Sequence, residues 1–184
     1  MARERISLCA TGLAMLLACT RTSAAQTVLD PKTGLTVTPP PSYQATNSPA
    51  RGRYSAVIDV KRSGERDTGC KVAFQPMPQN FTQAQMNQMV DAPERRAVIE
   101  NTLGMLYQVL SVETFEHAGV RGSAATASFK QLPGLPSQSA EMINLFYLLE
   151  TPAGRTLTVC LSDKNTFEQR KPEFEAVMRS LKLP

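Results

Sequence analysis

The run Met142-Ile143-Asn144-Leu145-Phe146-Tyr147-Leu148-Leu149 constrains the fold more than any other stretch of the chain. Its apolar residues fall on both alternating faces, the pattern of a strand covered on two sides; a strand wetted on one side alternates apolar with polar residues. It predicts a strand in the middle of a sheet. Glu150-Thr151-Pro152-Ala153-Gly154-Arg155 then combines a proline of fixed φ with a glycine that tolerates positive φ. That is the composition of a hairpin reversal, so the next strand is antiparallel. In Thr156 to Ser162, the residues Leu157, Val159 and Leu161 share one face and predict the core side, while Thr158, Cys160 and Ser162 share the other. Asp163 predicts the cap of a short helical turn carrying Phe167, and Pro172 the first turn of a second helical segment. Within that segment Phe174, Val177, Met178 and Leu181 are spaced i, i+3, i+4, i+7, one stripe aimed at the sheet.

The chain has 184 residues, room for one domain with a sizeable core but hardly for two. Its formal charge of +4 points to no basic partner surface, because Arg3, Arg5 and Arg21 against Glu4 place +2 of it in the first stretch and leave +2 for the rest. With no long basic run and no aromatic-rich basic patch, nucleic acid is not an expected partner.

Arg3 and Arg5 precede an apolar run from Ile6 to Ala18, and small residues follow, ending in Ser23-Ala24-Ala25. This is the layout of a secretory signal, with an apolar region too short for an ordinary membrane span. Residues 1–25 are read as a leader cut after Ala25, and residues 26–184 as a single α+β domain released into the periplasm. A competing cut exists, since Leu16-Leu17-Ala18-Cys19 is similar to a lipoprotein box in which Cys19 becomes a lipidated first residue. Membrane attachment is expected only through such an anchor. Removing the leader also removes Cys9 and Cys19, which leaves Cys70 and Cys160 as an isolated pair in an oxidising compartment and predicts a disulfide between them. The alternative is two buried thiols on separate strands.

The domain opens with short β segments around Asp30-Pro31 and Gly34, and Pro39, Pro40 and Pro41 end that pairing. Ser42 to Gly52 is polar and predicts an irregular surface loop. Tyr54, Ala56, Ile58 and Val60 alternate with polar residues as a half-buried strand, Ser63 to Gly69 turns, and Cys70, Val72 and Phe74 form the inward face of its partner. Thr82 with Gln85 makes a capping box and Phe81 with Met86 has staple spacing, so a helix starts at Thr82. Asp91, Pro93 and Glu94 repeat the capping signal for a second helix, with Val98, Ile99, Leu103 and Leu106 expected inward. Strands follow over Val109–Glu116 and the small-residue run Gly122–Phe129.

A short β-hairpin ending in prolines, antiparallel strands, helices near the middle and a closing strand-turn-helix with Phe167 and Phe174 together resemble the Mog1/PsbP-like fold. At residue level the likeness is carried by Gly34-Leu35-Thr36-Val37 with Pro39 and by Cys160 to Leu181. The resemblance implies an α+β fold, an antiparallel β-sheet flanked by helices as an α/β/α sandwich, with a C-terminal helix packed on the sheet. It also implies a non-enzymatic binding or assembly role.

The residues themselves carry no catalytic signature. Gly-x-Ser-x-Gly and Gly-rich phosphate loops are absent, and the one histidine, His117, stands beside a turn with no second ligand at zinc spacing. Met77, Met86 and Met89 could supply thioethers to copper, but as gap-filling core residues under a helix they need no metal, so neither metal nor cofactor is expected. The Asn80-Phe81-Thr82 glycosylation match has no role behind a bacterial-style leader. The expected function is a non-enzymatic periplasmic or envelope protein that binds another envelope protein. Its expected contact is the proline-stiffened loop of Leu132, Pro133, Gly134, Leu135 and Pro136, where ordering costs little; both leucines could instead fold back over the sheet. The alternative is a carrier of a small apolar ligand in a cavity between sheet and helices.

Overall fold

Among the described residues seven strands hydrogen-bond into one antiparallel sheet, and the two-sided apolar run lies inside it. The structure, a computed structural model, describes residues 26–184. The expected leader, its cut sites and Cys19 lie outside the described residues. In chain order the elements are β1 (Val28–Leu29), β2 (Thr36–Val37), β3 (Tyr43–Ser48), β4 (Ala56–Arg62), β5 (Gly69–Pro76), α1 (Gln83–Val90), α2 (Pro93–Gly104), β6 (Tyr107–His117), β7 (Val120–Phe129), β8 (Met142–Thr151), β9 (Gly154–Asp163) and α3 (Phe167–Arg179). The large sheet runs β3-β4-β5-β9-β8-β7-β6, and β1 with β2 forms a separate ribbon. Thr36 of β2 exchanges backbone hydrogen bonds with Lys182, which ties that ribbon to the chain end. Among the described residues no helix is long and apolar enough to cross a membrane.

The α+β architecture and the packed C-terminal helix are as expected. β8 is interior, but β9 holds the middle of the sheet. Register places Cys70, Val72 and Phe74 of β5 opposite Cys160, Thr158 and Thr156 of β9, which in turn face Leu145, Tyr147 and Leu149 of β8. This face carries α3: Phe174 and Val177 are fully buried, and Met178 and Leu181 nearly so. Each such side chain contributes roughly 1.5–3 kcal/mol by leaving water. Cys70 and Cys160 are directly opposed across β5 and β9, joined by a disulfide with their Cα atoms 3.9 Å apart.

Four local expectations are corrected. On β9 the residues Thr156, Thr158, Cys160 and Ser162 are the buried ones, and Leu157, Val159 and Leu161 are only half-buried. Small β-branched and hydroxyl side chains fit under α3, whereas the leucine face looks toward α2, which covers it incompletely. Tyr43–Ser48 is an edge strand rather than an irregular loop, paired along its length with β4. Its inward Tyr43 and Ala45 suffice for a strand with one neighbour, while Gln44 and Thr46 face solvent. The chain end forms one continuous helix with Pro172 inside it, and Asp163 makes no side-chain cap bond. Pro172 cannot serve the Glu168 carbonyl, but both residues are exposed and water can take that carbonyl.

The fourth correction concerns α2. The capping box of Thr82 and Gln85 starts α1 as expected. The second capping signal fails: α2 is N-capped by Ala92 with no side-chain bond, and Asp91 instead closes α1 and ion-pairs with Arg121. No residue of α2 is fully buried, and the expected inward residues Val98 and Leu106 are 56% and 52% exposed. α2 therefore stands off the sheet.

Candidate functional site

Between α2 and the uncovered sheet face lies a cleft of about 250 Å3. Its origin is in the sequence of β7. Ser123 and Ala125 sit opposite Leu148 and Phe146 of β8, so the strand beneath α2 offers small side chains where a packed helix would need large ones. Phe146, Leu148 and Leu157 form the floor, and Val98, Ile99 and Leu103 of α2 form the roof. The helix is held near its ends instead of along its middle. Arg95 Nη2 donates to Glu150 Oε2 at 2.8 Å, and Lys130 Nζ donates to the Gly104 carbonyl.

The rim is cationic. Arg53, Arg95 and Arg155 all line the cleft, together with Tyr54 and Gln75. Glu150 accepts from Arg155 Nε at 2.9 Å as well as from Arg95. Burial pushes the Glu150 carboxyl up, but the hydrogen bond from Arg155 and the charges of Arg95 and Arg155 outweigh it and hold the group below its usual range. Arg95 keeps a buried Nε–H with no protein acceptor. Such a donor costs about 1–3 kcal/mol while it stays unpaired. The cleft thus joins apolar walls to a cationic rim, and among the described residues that line it there is no paired nucleophile and base.

Two other hollows are less suited to a ligand. A groove of about 200 Å3 between β6 and α3 gathers Glu113, His117, Tyr147 and Glu175. His117 Nε2 is taken up by the Leu181 carbonyl at 2.8 Å, and the Tyr147 hydroxyl is pushed up by burial and by Glu175, away from activation. Met77, Met86 and Met89 line a common hollow with Phe81 beside the β8–β9 reversal.

In the 131–136 loop Leu135 is 38% exposed and Leu132 is half-buried, so the two leucines behave differently. The Lys130 N–H donates to the Leu106 carbonyl at 3.0 Å, which sets the exposed Met105 and Leu106 beside the root of this loop. Sequence reasoning missed Arg53, Arg95 and Arg155 altogether, since they lie on a loop, a helix and a hairpin with no common spacing. The one available signal was the small-residue run of β7 beneath α2.

No protein-family model matches the chain. No curated protein matches it either. Among solved structures it is similar to cyanobacterial PsbP (CyanoP) from Synechocystis sp. PCC 6803, with a TM-score of 0.56 at 14% identity over 92% of this chain and 99% of that one. A looser likeness is to PA94, a protein of unknown function from Pseudomonas aeruginosa, with a TM-score of 0.42 at 14% identity over 78% of this chain and 83% of that one. The chain has a PsbP-like fold, and at this identity the likeness extends to the fold alone.

Proposed function

We propose that this chain is a non-enzymatic binding protein that holds a small apolar ligand between α2 and the sheet. The observation that carries the reading is a helix with no buried residue poised over a half-covered apolar floor. A helix in a solid core would bury its stripe; this one leaves Phe146, Leu148 and Leu157 lining an open space. The disulfide supports export, because such bonds persist in oxidising compartments. An exported carrier of this kind would work in the periplasm.

The test is binding of Nile red, an uncharged apolar dye, followed by its fluorescence. Binding should be saturable and should be lost in Val98→Trp, which plugs the cleft from a helix position that is already 56% exposed and so leaves the fold intact. Weak fluorescence unaffected by Val98→Trp would sink the reading.

A second reading, docking of another envelope protein, is favoured by a separate observation. Met105, Leu106, Leu110 and Leu135 are 72%, 52%, 52% and 38% exposed, and the first two flank the loop of Leu132, Pro133, Gly134, Leu135 and Pro136. Large apolar side chains grouped on a surface mark contact sites more often than scattered ones do. A photo-crosslinking residue placed at Leu135 in living cells should then give one discrete adduct, lost when Leu106→Ser is added. A ladder of adducts, or none, counts against a specific partner there.

A further inference from the structure

We infer that the cleft selects a singly charged anionic amphiphile, an apolar chain ending in a carboxylate, with the chain on Phe146, Leu148 and Leu157 and the carboxylate held by Arg53 and by the Nε–H of Arg95. The inference rests on the cleft being a site for apolar ligands and adds the chemistry of the head group.

Charge is the first ground. Among the described residues lining the cleft there are three arginines and no acid. Glu150, which lies behind them, takes one Nη2 bond from Arg95 and the bonds from Arg155, so one carboxylate faces two guanidinium groups and a positive surplus remains at the mouth. Arg53 adds to it: among the described residues its side chain has no ion pair or hydrogen bond, and its guanidinium lies 5.7 Å from the Tyr54 ring centroid.

The orphaned donor is the second ground, and it is independent of net charge. Arg95 is a cleft residue whose Nε–H is buried without a protein acceptor, although its Nη2 is satisfied, and a small turn of the side chain is needed to offer that covered N–H to a ligand in the cleft. A neutral apolar ligand would leave that N–H unpaired, and a cation would be repelled from it. A small inorganic anion would satisfy the arginines but leave the apolar floor bare. A carboxylate on an apolar chain answers both features at once, by a charge-assisted hydrogen bond and by burial of the chain.

Displacement of Nile red by octanoate and by 1-octanol separates head from tail, since the two probes share a chain length. Octanoate should displace the dye at about tenfold lower concentration, a preference of about 1.4 kcal/mol. Arg53→Ala should cost octanoate about threefold, as suits an exposed charge, and Arg95→Lys about tenfold. Neither should change displacement by 1-octanol. Arg95→Lys keeps a cation for Glu150, and among the described residues Arg53 makes no ion pair or hydrogen bond and only stacks on Tyr54, so both variants should remain folded, which their melting curves check. Equal potency of the two probes would overturn the anion inference while leaving the apolar cleft standing. A preference for octanoate that survives the double variant would overturn it too. Failure to bind Nile red at all would remove the cleft reading and this inference with it. Binding to phosphatidylglycerol vesicles that depends on Arg53, without any response to octanoate, would assign the cations to a lipid surface and overturn the free ligand.

Discussion

Replacing both Cys70 and Cys160 by alanine should lower the melting temperature by about 4–8 °C and leave the folded structure unchanged. The bond spans 90 residues of sequence, and in the chain-entropy treatment a loop of that size is worth about 4–5 kcal/mol. In the native sheet it closes nothing new, because β5 and β9 are already hydrogen-bonded neighbours on either side of it. Its work is therefore done in the unfolded chain, where it keeps the β4–β5 hairpin near the strand that precedes α3. If half of the entropic term is realised, about 2 kcal/mol remains, and a chain of this length loses roughly 2–4 °C for each kcal/mol. Both sulfur-bearing residues are almost fully buried, so dithiothreitol alone should leave the bond intact at room temperature and reduce it only with denaturant. Thiol titration of the unfolded, unreduced protein gives the direct count: no free thiol among Cys70 and Cys160 is expected, and two would show that the bond does not form. An unchanged melting temperature in the double variant would mean that the unfolded chain already holds these strands together.

What was legible in the sequence divides along a physical line. Local patterns with one strong solution came through: the i, i+3, i+4, i+7 stripe of α3 is buried almost completely, and the capping box of Thr82 and Gln85 starts a helix. Both depend on residues within a turn or two of one another. The faces of β9 came out reversed because alternation tells which residues are apolar but not which face receives the better-packed helix. Thr158 is buried without a partner for its hydroxyl, while Leu157 lines the cleft, an ordering that only tertiary packing decides. β3 escaped notice for a related reason, since an edge strand needs few apolar residues when its backbone has one partner.

The candidate site was legible least of all. The spacing of Val98, Ile99 and Leu103 predicts an inward helix stripe, correctly as to their side and wrongly as to their burial. The missing quantity was the volume opposite them, set by Ser123 and Ala125 on a strand some twenty residues away. The rim is harder still. Arg53, Arg95 and Arg155 converge only because the loop before β4, α2 and the β8–β9 hairpin meet at one end of the sheet, and arginines on a surface are too common for their positions in sequence to mark a site.

Alanine in place of Glu65 should destabilise the protein by about 3 kcal/mol, more than methionine in place of the buried Arg170 that it pairs with. Arg170 is one residue that a sequence reading leaves to solvent, yet it is 5% exposed. It donates through Nη2 to Glu65 Oε2 and to the Tyr43 hydroxyl, both at 2.9 Å, and its guanidinium lies 5.1 Å from the Phe174 ring centroid. The Tyr43 hydroxyl in turn donates to Glu173, which Arg62 also holds. The four charges balance, and the network fastens α3 to β3, β4 and the turn after β4. Its two ends are not equivalent. Glu65 keeps 26% of its side chain in solvent and also accepts from Thr68, so without Arg170 it can rehydrate. Methionine retains much of the buried volume, and Arg170→Met should cost about 1 kcal/mol. Without Glu65, by contrast, Arg170 is left as a buried cation, its Nε already lacking an acceptor, and stranding a buried charge costs at least about 3 kcal/mol. The double variant Glu65→Ala, Arg170→Met removes the stranded charge, so it should be more stable than Glu65→Ala alone. Urea unfolding of the wild type, both single variants and the double variant decides the matter, with the double-mutant cycle isolating the coupling. Equal and additive losses would show that the pair is a solvated surface contact and that α3 is held by its apolar stripe alone.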